Sequence, residues 1–116
     1  MTSIFSKIIA GEVPADIVYS DDLVVAFRDI APQAPVHLLI VPKTEAYADV
    51  VALAAGDPAL LAHVVTTAER LAAEHTGGDF RLVFNTGAGA GQTVFHVHAH
   101  LMGDPAGLAE GSLGDV

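Results

Sequence analysis

Within Thr93-Val94-Phe95-His96-Val97-His98-Ala99-His100-Leu101-Met102, apolar and imidazole side chains alternate without a break from Phe95 to Leu101. On a strand, successive side chains point to opposite faces. This spacing therefore sets His96, His98 and His100 on one face and Phe95, Val97, Ala99 and Leu101 on the other. The apolar face is expected to anchor the row to a core, mounting the imidazoles on a rigid element and not on a mobile loop. A lone strand histidine is ordinarily a packed or surface residue. Three at alternate positions, drawn from only 6 histidines in the chain, favour a functional row.

Two chemistries fit the row. Zinc needs three or four ligands converging on one ion, and alternate strand positions stand about 6.6 Å apart, which suits two ligands better than three. A metal site would then use His96, His98 and His37, the one obvious further candidate. The other chemistry is nucleophilic attack by an imidazole, with neighbouring imidazoles orienting it and stabilising charge, for which the middle His98 is best placed.

The preceding stretch, Asn85-Thr86-Gly87-Ala88-Gly89-Ala90-Gly91-Gln92-Thr93, is a glycine-rich connection with polar ends. Glycine permits positive φ, so main-chain N–H groups can turn inward and hold an anion. The loop lacks the Gly-Lys-Ser/Thr of a Walker loop. It also lacks the dinucleotide fingerprint, because Gln92 stands where a third glycine is needed and a strand follows instead of a helix. Alone it reads as a turn; beside the histidines it reads as an oxyanion or phosphate pocket.

Outward from this centre, residues 3–10 read as a short helix with Ser3 as N-cap, an apolar face of Ile4, Phe5, Ile8 and Ile9, and Gly11 as its stop. Residues 17–20 and 23–27 read as two strands joined in a hairpin. Asp29 sits where a strand ends ahead of Pro32 and Pro35, an ordinary position for a turn-capping Asp. Residues 36–41 form a third strand carrying His37, and a single His in an apolar strand is most often structural. Asp57-Pro58 opens the longest helix, with Leu61, Val64, Val65, Ala68, Leu71 and Ala72 at helical spacing and Gly77 near its end. His63 and His75 lie on it, away from the row. Residues 80–85 are a fourth strand that delivers the glycine loop, and residues 104–116 form a loose tail. The sum is a single α+β domain over 1–116, with a five-stranded, largely antiparallel sheet, one long helix and one short one.

A chain of 116 residues that is 52% hydrophobic and 16% charged is globular. No run approaches bilayer-spanning length, and the N-terminus lacks a secretory pattern. The absence of cysteine fits a cytoplasmic protein. A net charge of −9 repels nucleic acid, so a bound phosphate must be held by local groups: histidines, backbone N–H and hydroxyls.

The run from Gly91 to Met102 resembles the signature of the histidine triad (HIT) superfamily, His-φ-His-φ-His-φ-φ with φ apolar. Gln92-Thr93 before it and Gly103 after it are similar to the Hint-like branch of histidine triad nucleotide-binding proteins. Two further blocks in the same order, Ile4-Phe5-Ser6-Lys7-Ile8-Ile9-Ala10-Gly11-Glu12-Val13-Pro14-Ala15 and the stretch from Ala26 through Asp29 and His37 to Lys43, extend the resemblance over nearly the whole chain. It implies a homodimer with a continuous sheet. It also implies hydrolysis of purine nucleoside 5′-phosphoramidates, or related activated nucleotides, through a nucleotidyl-histidine and without metal or cofactor. His98 would attack the α-phosphate, His96 would supply the carbonyl that holds the other nitrogen of His98, and His100 would bond the phosphoryl oxygens. His37 would hydrogen-bond His96 or help order the site. Phe5 and Ile8 would border the base pocket, Asp29 would accept from the ribose hydroxyls, and Ile30 would pack on the base. Asn85, Gly91, Gln92 and Thr93 would cradle the phosphate. The superfamily also includes dinucleoside polyphosphate hydrolases and nucleotidyl transferases, and a non-catalytic nucleotide-binding module would preserve the same residues. Members of the branch often carry a C-terminal tryptophan on the leaving-group side, whereas this chain has no Trp.

Overall fold

Ser3 accepts a hydrogen bond from the backbone N–H of Ser6 at 3.1 Å and starts a helix, α1 (Ile4–Ile9), which Gly11 ends at φ 78°. In the computed structural model, which describes residues 3–108, this short helix is followed by strands β1 (Ile17–Ser20), β2 (Val24–Arg28) and β3 (Val36–Pro42). Helices α2 (Val50–Gly56) and α3 (Pro58–His75) come next, then strands β4 (Arg81–Val83) and β5 (Ala99–Gly103). The strands make one sheet in the order β1-β2-β3-β5-β4, every pair antiparallel. The five-stranded α+β architecture expected from the sequence is thus observed. Of the tail expected over 104–116, residues 109–116 lie outside the described residues.

The sheet is covered on both faces at its centre, and β2 and β3 are correspondingly apolar throughout. Val24, Ala26, Leu38 and Ile40 point toward α2 and α3 and are completely buried there with Leu53, Val64, Ala68 and Leu71. Val25, Phe27, Leu39 and Val41 point the other way and are closed off by Phe5 and Ile8 of α1. Six residues thus suffice for α1, because helix stability here comes from docking and not from length.

Helix α2 was not anticipated. Asp49 caps it by accepting from Ala52 N–H at 2.9 Å, but Val50-Val51 reads as poorly helical and only Leu53 is buried, so the segment carries no periodic apolar stripe. Helix α3 starts where its capping pattern predicts, with Asp57 as its N-cap, but the stripe is rotated. Leu60, Val64, Thr67, Ala68, Leu71 and Ala72 face the sheet, while Val65 is exposed. His63 is tied to the hairpin through Asp21 Oδ2 at 2.7 Å. Asp21 also accepts from Tyr19 Oη and from the amides of Leu23 and Val24. Burial alone would raise the Asp21 carboxyl, but these donors outweigh it and hold the group well below the usual carboxylate range.

Two expectations for the histidine stretch are corrected. Regular pairing begins only at Ala99, because the preceding segment runs along the 44–49 connection, where Val97 N–H bonds the Tyr47 carbonyl at 3.0 Å. Val97, Ala99 and Leu101 keep the alternation and are buried on the α3 side, but Phe95 leaves it and is 58% exposed. The fourth strand is also shorter than expected, three residues instead of six.

Gly103 ends β5 against the turn after α3. A Cβ there would lie 2.5 Å from Thr76 Cγ2 and 2.8 Å from Thr76 Cβ. Thr76 cannot swing aside cheaply, since its hydroxyl donates to Ala72 O at 3.0 Å or to Asp79 O at 2.6 Å. Gly103→Ala is therefore expected to destabilise the domain by about 1–3 kcal/mol through overpacking. Thermal denaturation should show the lower Tm.

Candidate active site

All three triad imidazoles lie on the α1 side of the sheet, but each is held differently. His96 is buried, with 2% of its surface exposed, and both its nitrogens are used. Nε2–H donates to the Pro42 carbonyl at 2.7 Å, and Nδ1 accepts from the Ser3 hydroxyl at 2.7 Å. The N-cap serine of α1 thereby also fixes the first triad ring. A ring so engaged has no lone pair to give, so the metal set of His96, His98 and His37 is not assembled.

His98 has one nitrogen engaged. Its Nδ1 lies 2.9 Å from the carbonyl oxygen of His96, which can only accept, so Nδ1 carries the hydrogen and Nε2 the lone pair. Nε2 has no hydrogen-bond partner among the described residues. The ring is wedged between Phe5, edge-on at 4.8 Å between centroids, and His100 at 5.2 Å. Burial pushes the His98 pKa below its ordinary value, only partly opposed by the bond to the His96 carbonyl.

His100 is brought beside His37 because β5 pairs directly with β3, in the register Leu39 to His100 and His37 to Met102. His37 Nε2 and His100 Nδ1 are 2.9 Å apart. His37 thus contacts His100 and not His96, which correlates with its parity on β3. Burial, reinforced by the neighbouring His98 and His37, lowers the His100 pKa to about 4. Burial lowers that of His37 as well, against the pull of Asp29. Asp29 holds the turn after β2, its Oδ1 accepting from Ala31 N–H at 2.8 Å, while Oδ2 lies 3.4 Å from His37 Nε2. Its neighbour Ile30 is 99% exposed. Phe5 and Ile8 are buried, and Phe5 meets the His98 and His96 rings instead of open space.

The glycine loop is built differently from the anion nest the sequence suggests. Gly87 and Gly91 take positive φ, at 88° and 92°, around a single turn of 3-10 helix (Ala88–Ala90). The amides of Ala90 and Gln92 bond the Gly87 carbonyl and that of Gly91 the Ala88 carbonyl, so these three are spent within the loop. Gln92 is 3% exposed: its Oε1 accepts from Gly87 N–H at 2.8 Å, and its Nε2 donates to Ala48 O at 2.6 Å and Val94 O at 3.1 Å. Its side chain is a staple across the base of the loop. Thr93 beyond it is exposed, and Asn85 is half-buried. Sequence reasoning missed Ser3 as a partner of His96, the Pro42 carbonyl and the Gln33 amide, which bonds His37 Nδ1 at 2.9 Å. The first two act across the fold, and the third, only four residues from His37, depends on a turn geometry that leaves no sequence signal.

A nucleophilic imidazole nitrogen, flanked by a second imidazole and backed by an apolar ring, is the arrangement found in enzymes that transfer a group through a histidine. Comparison with known proteins agrees with that class. The model of the HIT domain matches residues 10–106. An uncharacterized HIT-like protein of Synechococcus elongatus is 52% identical over 103 residues, covering 87% of this chain and 89% of the relative. The purine nucleoside phosphoramidase of Escherichia coli is 46% identical over 103 residues, covering 87% and 86%. Among solved structures, a HIT family hydrolase from Clostridium thermocellum superposes with a TM-score of 0.81 at 40% identity, covering 88% of this chain and 90% of that one. The chain belongs to the HIT family and is an enzyme of the HIT class. Among the described residues no helix is long and apolar enough to cross a membrane.

Proposed function

We propose that this protein hydrolyses purine nucleoside 5′-phosphoramidates at the α-phosphorus through a covalent nucleotidyl-His98. The observation that carries the reading is the His98 Nδ1 to His96 carbonyl bond, which leaves Nε2 as the free lone pair. Nε2 attacks phosphorus as the phosphorus–nitrogen bond breaks, and the nitrogen departs as the amine with a proton from solvent that the attacking water later returns. Water then attacks the same phosphorus, releasing the nucleoside monophosphate and restoring the ring. Positive charge developing on His98 is stabilised by its donated bond to the carbonyl, and His100 donates to a phosphoryl oxygen. Asp29 accepts from the ribose hydroxyls through Oδ2, and the exposed Ile30 offers an apolar surface to the base. Phe5 and Ile8 border that pocket from beneath, Phe5 chiefly by buttressing His98. Asn85 and Thr93 offer their side chains to the phosphate, while Gly91, its amide spent on the Ala88 carbonyl, shapes the loop together with Gln92. The 46% identical phosphoramidase supports the choice of substrate. Turnover of adenosine 5′-monophosphoramidate in the presence of chelator tests the proposal. Tight binding of AMP without hydrolysis would instead indicate a nucleotide-binding module.

The pH dependence follows from the lowered pKa values. Attack needs unprotonated His98, so kcat/KM should be level through neutral pH and fall only below 6.5, the ordinary histidine value. Stability should follow in the same direction. Below pH 6.5 the unfolded chain binds protons that folded His37, His98 and His100 refuse, so Tm should decline as pH falls from 6.5 toward about 4, where folded His100 titrates.

A homodimer completes the reading. Among the described residues β4 is the terminal strand of the sheet, the position from which a sheet continues into a second copy. Light scattering should give twice the chain mass of 11.9 kDa, and a monomer at micromolar concentration would contradict it.

A further inference from the structure

Asp29, His37 and His100 bring a carboxylate oxygen and two imidazole nitrogens within 4.8 Å of one another. By composition this is a ligand set for zinc or a similar divalent ion. The hydrogen bonds around His37 argue otherwise. A backbone N–H can only donate, and that of Gln33 points at His37 Nδ1 from 2.9 Å. Nδ1 therefore holds the lone pair, and in the neutral ring Nε2 holds the hydrogen. That hydrogen faces two acceptors, His100 Nδ1 at 2.9 Å and Asp29 Oδ2 at 3.4 Å.

A metal on His37 Nε2 would need the lone pair there. The hydrogen would have to move to Nδ1, where it would face the Gln33 N–H, donor against donor in a buried place. Protonating His37 creates the same conflict. The consequence runs one ring further: since His37 donates to His100 Nδ1, His100 must carry its own hydrogen on Nε2.

We infer that the Gln33 main-chain amide is a tautomer lock, a positioning group that acts through His37 to make His100 a hydrogen-bond donor at Nε2 and to withhold the Asp29, His37 and His100 cluster from divalent metals. The catalytic part rests on the role proposed above for His100, whereas the lock and the metal exclusion do not. The lock belongs to the backbone. The Gln33 side chain is exposed and, among the described residues, donates only to the Ala31 carbonyl at 3.2 Å, so its identity is immaterial. The amide is aimed by the turn that Asp29 caps at Ala31 and that Pro32 and Pro35 stiffen.

The test begins with nitrogen-15 spectroscopy of the imidazoles in the full-length wild type. His37 should show an unprotonated Nδ1 and a protonated Nε2, and His100 the same pattern. Equimolar Co2+ should give no tetrahedral cobalt spectrum. Gln33→Ala, which keeps the amide, should match the wild type in every readout. Replacing Gln33 with its α-hydroxy acid turns that amide into an ester and deletes only the N–H. This variant should show mixed His37 tautomers and take up Co2+ on His37 and His100. Its kcat should fall by up to about 10²-fold, the scale of one lost oxyanion donor. A wild-type His37 protonated at Nδ1, stoichiometric Co2+ on this cluster in the wild type, or an ester variant with unchanged tautomers and no cobalt uptake would each overturn the inference. Should the ester variant fail to fold, the wild-type spectra still decide it. Should the protein lack phosphoramidase activity, the spectra and the metal titration would still report on the lock alone.

Discussion

Replacing His98 with alanine should lower the turnover of a nucleoside phosphoramidate by at least about 10⁴-fold, the scale on which loss of a catalytic nucleophile is felt. No neighbour can substitute. His96 has both nitrogens engaged, by Ser3 and Pro42, and His100 spends its Nδ1 on His37. Removing the ring deletes the covalent route and loosens only Phe5 at the base pocket, since Asp29 and Ile30 lie on the turn after β2. The affinity for AMP should therefore stay within several-fold of wild type while kcat collapses. Steady-state kinetics paired with calorimetric titration of AMP would read both. Parallel loss of binding and turnover would mean that His98 serves mainly to shape the pocket.

Gln92→Glu should be the most damaging conservative change in the loop. The carboxylate can still accept from Gly87 N–H, but it confronts the Ala48 and Val94 carbonyls, to which the native amide donates. In a position 3% exposed, that places a charge, or a protonated acid with at most one donor, against two acceptors. An expected loss of about 2–4 kcal/mol follows from unsatisfied buried carbonyls and desolvation. Because Gln92 sets the loop that leads into Thr93 and the triad, kcat/KM should fall as well, by about 10²-fold as phosphate-facing donors drift. Thermal denaturation separates this from a direct phosphate contact. A substrate-binding Gln92 would lose activity at unchanged Tm, whereas a staple loses both together.

The contrast at Gln92 illustrates what the sequence carried and what it did not. The alternating row from Phe95 to Leu101 disclosed which side chains share a face, because a two-residue period is a local property of the chain, and His96, His98 and His100 do lie on one side. It could not disclose that pairing starts at Ala99 or that Phe95 turns outward, since both follow from the Tyr47 carbonyl taking the Val97 amide across the fold. Capping residues were equally readable at Ser3 and Asp57, each followed by an apolar stripe. Asp49 carries the same signal, but α2 was missed because its only buried residue is Leu53. At the site, residue types were legible and partners were not. Nothing in the order of residues tells that His37 meets His100 until β3 and β5 are in register, nor that the glycine-loop amides bond one another instead of facing an anion.

The central claim, attack by His98, is tested most directly by rapid acid-free quenching of the wild type during turnover of adenosine 5′-monophosphoramidate, followed by mass spectrometry of its peptides. An adenylyl group on His98, formed and lost at rates consistent with kcat, is the expected result. Release of AMP from an enzyme that never carries the adduct, or an adduct on a different histidine, would contradict it.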